Sequence, residues 1–504
     1  NNSEYELFEK KILHVKRIIQ TTKNEYYHKI FKDCIYKPLK MWKLINDLSR
    51  NNIKTGSAPA KLNTESGSIT DVVDICQCFN LFFANVGTTL ANNIPQIHHT
   101  TVGNPVGSTM CAGNVTELRT LNSVTTDEVS KIIDNLKSNT SSGIDAVTCK
   151  AVKSIKIVIL TEITDCINKY LSEGYFPDSL KIAKVTPIFK SGEKSDPNNY
   201  RPISVLPLIS KIFEKIIHNQ LINYLNSINY VFDKQYGFRS KSNTLSACID
   251  LITNLKTQID KKNIGLGIFI DLKKAFDTIS HRLLLHKLAS LGIKGSAYKM
   301  FESYLTNRYQ VVKIGNVQSS LERVTYGVPQ GSILGPLLFL IYINNINEIG
   351  LNRDISLYAD DTCLFYYGNN IDCLVNWAQE DLDRLFVWFQ NNLLTINVSK
   401  TNFIIFSAKN KKIPKCNSLM IKNEPLKRVD SEKYLGLILD SNLTWKMHIE
   451  KICSKLSSLI VSIRGNVKCL PQSVRYIIYN TLVKPHLDYL IEVWGNAAKM
   501  HLKK

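Results

Sequence analysis

The sequence predicts a mixed α/β (α+β) chain, and three observations carry that expectation. Apolar residues recur at helical spacing over 208–225 and again over 244–260. Two apolar, strand-like runs carry aspartates: 265–271 at its end, and 355–367 as an adjacent pair in its middle. Of the 504 residues, 44% are hydrophobic and 21% charged, which suits several cores and about three domains. That composition excludes disorder along the whole chain and any collagen-like fibre.

Taken in order, 1–90 alternate basic helical stretches with polar connectors, and Ile12, Val15, Ile18 and Ile19 fall at helical spacing. The stretch 92–124 holds Gly103, Pro105, Gly107 and Gly113 among Ser, Thr and Asn, and reads as a linker. Thr126, Asp127 and Glu128 form a helix start ahead of Val129, Ile132, Ile133 and Leu136. In the helix over 208–225, one face is built from Ile212, Phe213, Ile216, Ile217, Leu221 and Ile222. A helix over 281–291 follows the strand at 265–271. The best apolar run, 337–343, is followed at once by Asn344 and Asn345, far short of the roughly 20 residues a membrane helix needs.

Lys and Arg number 63 against 43 Asp and Glu, a net charge of +20. Such an excess favours a polyanionic partner, nucleic acid first and an acidic membrane surface second. Residues 441–504 are especially basic, with ten Lys/Arg against three Asp/Glu. The twelve cysteines are scattered and no secretory signal opens the chain, so reduced intracellular thiols are expected. Cys76 and Cys78 form a close pair, with His98, His99 and Cys111 further on, but these spacings fit no zinc template.

Two acidic motifs carry the chemistry. Asp271 ends a run of buried type (Leu266, Ile268, Phe269, Ile270), and a carboxylate there needs a mouth or a cation. Asp360 and Asp361 stand between apolar arms, as at the tip of a β-hairpin. The bland reading is a polar turn, yet the tip holds no Gly, Asn or Pro. Adjacent like charges repel, and a divalent cation relieves that repulsion. Together the three carboxylates could hold two Mg²⁺ ions about 4 Å apart for in-line phosphoryl transfer.

The order of blocks around these acids strongly resembles, over about 120–450, the reverse transcriptases of non-LTR (LINE-type, jockey-like) retrotransposons. The blocks are Ser141-Ser142-Gly143-Ile144-Asp145; Thr186-Pro187-Ile188-Phe189-Lys190 with Asn199-Tyr200-Arg201-Pro202-Ile203-Ser204; and Gln235-Tyr236-Gly237-Phe238-Arg239. They continue with Phe269 to Asp277, Gly327-Val328-Pro329-Gln330-Gly331-Ser332, Tyr358 to Asp361, Asn397 to Thr401, and Tyr434-Leu435-Gly436.

The resemblance implies a right-hand polymerase: fingers from about 121–262 and 285–325, an antiparallel-sheet palm and a partial, basic helical thumb. The implied domains are 1–120 (helical region and linker), 121–440 (fingers and palm, core 171–440) and 441–504 (start of the thumb). It implies an RNA-directed DNA polymerase that uses an RNA template, a DNA primer and dNTPs, with two Mg²⁺ or Mn²⁺ ions held by Asp271, Asp360 and Asp361. Lys190 and Arg201 then hold the triphosphate. Phe276 excludes a 2′-hydroxyl, and its competing reading is core packing. Gln330 and Gly331 approach the nucleotide, while Ser332 could simply cap a helix. Lys400 is the implied general acid for pyrophosphate, or else a surface lysine. Tyr434, Leu435 and Gly436 form the implied primer grip. The family acts in the nucleus, and its members usually begin with an endonuclease domain that is not visible here. The competing functions are an inactive nucleic-acid-binding relic and a group II intron maturase-like protein.

Overall fold

The computed structural model describes residues 2–34, 37–48, 59–64, 67–95, 117–408, 411, 418–467 and 470–503. His98, His99, Cys111 and most of the linker at 92–124 lie outside the described residues. The chain divides into two compact units: Gly56–Ala247 with Asn254–Val429, and Asn1–Thr55 with Cys248–Thr253 and Asp430–Lys504. Helices and sheets are mixed throughout. No described helix is long and apolar enough to cross a membrane.

The larger unit is built on two sheets. Its elements used below are α1 (Val72–Asn92), α2 (Thr126–Asn135), β1 (Ile182–Phe189), β2 (Tyr200–Val205), α3 (Leu208–Ser227), β3 (Ile264–Ile270), α4 (His281–Ser290), β4 (Arg308–Ile314), α5 (Leu334–Ile343), β5 (Asp354–Tyr358), β6 (Asp361–Gly368), α6 (Ile371–Asn391), β7 (Asn402–Phe406) and β8 (Lys427–Arg428). The helix start expected at 126–128 carries a capping box in which Thr125 and Glu128 satisfy each other's backbone N–H groups.

The first sheet is five-stranded: it runs β2-β1-β4, with β1 antiparallel to β2 and parallel to β4, and the short strands Val317–Gln318 and Glu322–Val324 both pair antiparallel with β4. Helix α1 packs on it: Phe79 and Phe83 join Val185, Tyr200 and Val312 in one buried cluster. The second sheet has the order β8-β7-β3-β6-β5. Its pairs are antiparallel except β7 with β8, which are parallel. All seven residues of β3 are buried, which is why this strand reads as one unbroken apolar run and not as an alternation. The apolar run at 337–343 lies in α5, buried from Leu337 to Ile343. Residues of α3, α4, α5 and α6 share the main core with β3 and β6.

In the smaller unit, Phe31, Met41 and Ile45 pack with Ile463, Val474 and Ile478. Helix Lys446–Val467 follows the hairpin Ser431–Tyr434/Leu437–Asp440, so the basic stretch 441–504 is mainly helical.

Candidate active site

Strand register brings the acids together. Ile270 pairs with Thr362, so Asp271 and Asp361 leave β3 and enter β6 one step further along the same edge. Asp361 pairs with Tyr358, which leaves Ala359 and Asp360 as a two-residue turn. Ala359 takes φ 57°, a conformation most turns give to Gly or Asn.

The turn keeps this shape because a side chain from far along the chain holds it. Gln235, 2% exposed, accepts hydrogen bonds on Oε1 from the N–H groups of Gly237 (2.8 Å) and Ala359 (3.0 Å). The Tyr236 N–H also donates to the Leu357 carbonyl at 2.8 Å. Gly237 is obligatory here, since a Cβ would lie 2.3 Å from the Ala359 nitrogen. The Gln235–Arg239 block is therefore the back wall of the acidic turn.

Asp360 is half-buried. Burial raises its carboxyl above the usual range, and the charge of Asp271 pushes the same way. Arg201 and Lys190 act on it in the opposite direction. Those two exposed cations lie at the loop end of the β1–β2 hairpin, where the Lys190 N–H donates to the Asn199 carbonyl at 2.8 Å and Ile188 pairs with Arg201. The hairpin is tied down by Lys274, whose ammonium donates to the carbonyls of Asn198 and Tyr200, each at 3.1 Å. Lys184 similarly reaches the Ser142 and Gly143 carbonyls, which anchors the Ser141–Asp145 block to the same sheet.

Asp271 is clamped from the other side. The Asn397 side chain donates from Nδ2 to Asp271 Oδ2 at 2.7 Å, and its backbone N–H donates to the Asp271 carbonyl at 2.8 Å. Lys400, in the same block, is exposed. Among the described residues no three His, Cys, Asp or Glu side chains converge as a metal cluster. Asp271 and Asp360 nonetheless interact as charges, with Asp361 exposed beside them.

Phe276 is half-buried. It stacks on Phe339 with ring centroids 4.5 Å apart and meets Phe238 edge-on at 5.9 Å. The packing role expected as its alternative is thus present. Gln330 does not project freely: Nε2 donates to both oxygens of Asp277, at 2.8 and 3.0 Å. Desolvation raises the Asp277 carboxyl to about 6, against the lowering effect of Gln330 and Lys274. The Gln330 carbonyl accepts from the Ser204 N–H at 2.8 Å. Gly331, at φ 120°, sits so close to β2 that a Cβ would lie 2.5 Å from the Ser204 carbonyl oxygen. Ser332 Oγ accepts from the Gly335 N–H at 3.0 Å, the capping role foreseen for it. Behind this loop, buried Glu214 of α3 accepts from the Ile333 N–H at 2.6 Å and from the Tyr304 hydroxyl at 3.0 Å.

Tyr434, Leu435 and Gly436 lie in the smaller unit, at the tip of its hairpin. Leu435 and Gly436 take φ 45° and 90°, the two positive values of a type I′ turn. The Tyr489 hydroxyl donates to the Leu435 carbonyl at 2.7 Å.

Sequence reasoning located the acids and cations but missed the roles of Gln235, Lys274, Asp277 and Asn397. All four lie inside the quoted blocks. What signalled them was the blocks themselves, not any feature of the single residues.

Residues 190–439 match the family model described as reverse transcriptase (RNA-dependent DNA polymerase). The chain is 28% identical over 389 residues to the probable RNA-directed DNA polymerase from transposon X-element of Drosophila melanogaster, covering 75% of this chain and 42% of that protein. It is 28% identical over 396 residues to the RNA-directed DNA polymerase from mobile element jockey of the same species, covering 76% and 43%. The Drosophila funebris jockey protein is 29% identical over 394 residues, covering 76% and 42%. The chain thus spans less than half the length of the curated relatives it matches. Residues 190–439 thus match the reverse transcriptase family, and the chain is similar to the RNA-directed DNA polymerases of jockey and related mobile elements.

Proposed function

We propose that this chain is an RNA-directed DNA polymerase that extends a DNA primer 3′-hydroxyl with dNTPs on an RNA template. The observation that carries the reading is the strand register that sets Asp271 beside the Asp360–Asp361 turn, with Arg201 and Lys190 of a separate hairpin favouring the charged form of Asp360. The β2-β1-β4 sheet serves as fingers, the β8-β7-β3-β6-β5 sheet as palm, and the basic helices of 441–504 as part of a thumb. Action in the nucleus follows from the family.

The donor set fits Mg²⁺. This ion takes one or two protein carboxylates and completes its shell with water and substrate phosphates, so a closed cage of three side chains is not required. Asp271 and Asp360 would hold the metal pair, with Asp361 completing the set. When bound, the ions supply acidity to the primer hydroxyl and charge neutralisation to the triphosphate.

The remaining steps belong to the chain's own groups. Arg201 and Lys190 bind and orient the triphosphate from the fingers hairpin. Phe276, braced against Phe339, fills the space a ribose 2′-hydroxyl would need. Gln330 and Gly331 form the floor of the nucleotide site, fixed by Asp277 and Ser204. Lys400 gives a proton to the pyrophosphate oxygen as it leaves. In the smaller unit, the Tyr434–Gly436 turn grips the primer end, with the lysines of 441–504 along the nucleic-acid backbone.

The test is extension of a labelled DNA primer annealed to an RNA template, with dNTPs and Mg²⁺ or Mn²⁺. Template-directed extension is expected. Tight RNA binding with no extension under either metal would favour a nucleic-acid-binding relic.

A further inference from the structure

We propose that Asn397 is a positioning residue for Asp271, fixing which carboxylate oxygen faces the metal site. The inference rests on the polymerase reading above.

The geometry is specific. Asp271 lies just past the end of β3, beyond Ile270, the last residue paired with β6. A side chain there is not fixed by ladder hydrogen bonds, and an aspartate has several staggered rotamers available. Asn397 removes that freedom with two bonds from one residue. Its backbone N–H donates to the Asp271 carbonyl at 2.8 Å, and its Nδ2 donates to Oδ2 at 2.7 Å. The first bond holds the main chain and the second holds the carboxylate. Oδ2 is occupied on the Asn397 side, which leaves Oδ1 to face the site.

Asn397 is itself braced. Its Oδ1 accepts from the Ser399 hydroxyl at 2.9 Å. An ionised Asp271 carboxylate can only accept, so the end of the amide that faces it is the donor. The Asn397 carbonyl accepts from the Thr401 hydroxyl (2.9 Å) and from the N–H groups of Lys400 (3.0 Å) and Thr401 (2.9 Å). The buried Thr401 hydroxyl in turn accepts from the Asp271 N–H at 3.3 Å. The block from Asn397 to Thr401 is thus a closed ring of bonds around one acid. Asp360 has no comparable side-chain bond from this block, so Asn397 acts on Asp271 alone. Outer partners of this kind orient metal ligands, and their loss typically costs about 10–100-fold in metal affinity or activity.

The test uses Asn397→Ala and Asn397→Asp in the full chain bound to template–primer. Asparagine and aspartate have nearly the same shape, but an ionised aspartate cannot donate from the Nδ2 position. Mn²⁺ binding is read by electron paramagnetic resonance without nucleotide. In parallel, extension is titrated with Mg²⁺ at saturating dNTP. Both variants should weaken Mn²⁺ binding and raise the half-saturating Mg²⁺ by about tenfold or more, with Asn397→Asp no better than Asn397→Ala. The dNTP KM at saturating Mg²⁺ should stay near the parent value. The backbone bonds of residue 397 survive in both variants, and matching thermal melts check the fold.

Mn²⁺ affinity unchanged in both variants would overturn the proposal. So would an Asn397→Asp that behaves as the parent, because shape alone would then suffice. Asp271→Asn is the separate control. If Asp271→Asn retained full Mn²⁺ binding and extension, the metal assignment itself would fall, independently of Asn397.

Discussion

Gln235→Ala is the substitution whose consequence follows most directly from the geometry. Gln235 contributes nothing to the proposed chemistry, yet its Oε1 is the acceptor for two backbone N–H groups, those of Gly237 and Ala359. Both are buried bonds. Truncation leaves two buried donors without an acceptor, at about 1–3 kcal/mol each. The turn at 359–360 should therefore open more easily by about 2–6 kcal/mol, with the lower end applying if water enters the vacated space. At 1.4 kcal/mol per factor of ten, even the lower end is close to a thirty-fold increase in local opening. Hydrogen exchange followed by mass spectrometry on peptides spanning 354–368 reads this directly. Primer extension measured beside it should fall steeply, because the same turn carries Asp360. Exchange within threefold of the parent, with unchanged extension, would refute the claim that Gln235 holds the acidic turn.

Three other perturbations test separate parts of the account. Gly87→Ala places a Cβ 2.3 Å from the Asp277 carbonyl oxygen and 2.6 Å from Tyr326 Cβ. It should destabilise the larger unit by about 1–3 kcal/mol and raise the dNTP KM, while a neutral thermal melt would contradict the close approach of α1. Phe276→Val should admit rNTPs, and unchanged rNTP use in single-nucleotide incorporation would remove Phe276 as the sugar gate. Lys287 is buried and held down to about 7 by desolvation, with Glu348 acting the other way. An unfolded lysine keeps its proton to about 10.4, so between these values the unfolded chain binds more protons and stability rises with pH, by up to about 1.4 kcal/mol per unit. Lys287→Met should flatten that slope in denaturant unfolding above about pH 7.5, and identical slopes would contradict it.

Much of the fold was legible because its signals are local. The helix Thr244–Asp260 coincides with its apolar spacing, and the strand expected at 265–271 is observed as Ile264–Ile270. The Asp360–Asp361 pair announced a hairpin because apolar arms flank it on both sides. What could not be read is the set of partners that arrive from a distance. Gln235 meets Ala359 across 124 residues, Asn397 meets Asp271 across 126, and Glu214 meets Ile333 across 119. No window of sequence contains both members of such a pair. Gln330 shows the same limit from the other side. Its block marked it as a nucleotide contact, but its amide is bound to Asp277, so its orientation is set by the acid that follows Phe276. The association of α1 with the β2-β1-β4 sheet was likewise hidden, since Phe79 and Phe83 carry no sign of which sheet they join.

The measurement that bears most directly on the central claim is Asp360→Asn in RNA-templated primer extension, with template–primer affinity followed by fluorescence anisotropy. The substitution removes a carboxylate without touching the cations of the β1–β2 hairpin or the basic helices of 441–504. Extension should fall by orders of magnitude while template–primer affinity stays the same or improves. Normal extension by Asp360→Asn would contradict the assignment of this acid pair as the catalytic metal site.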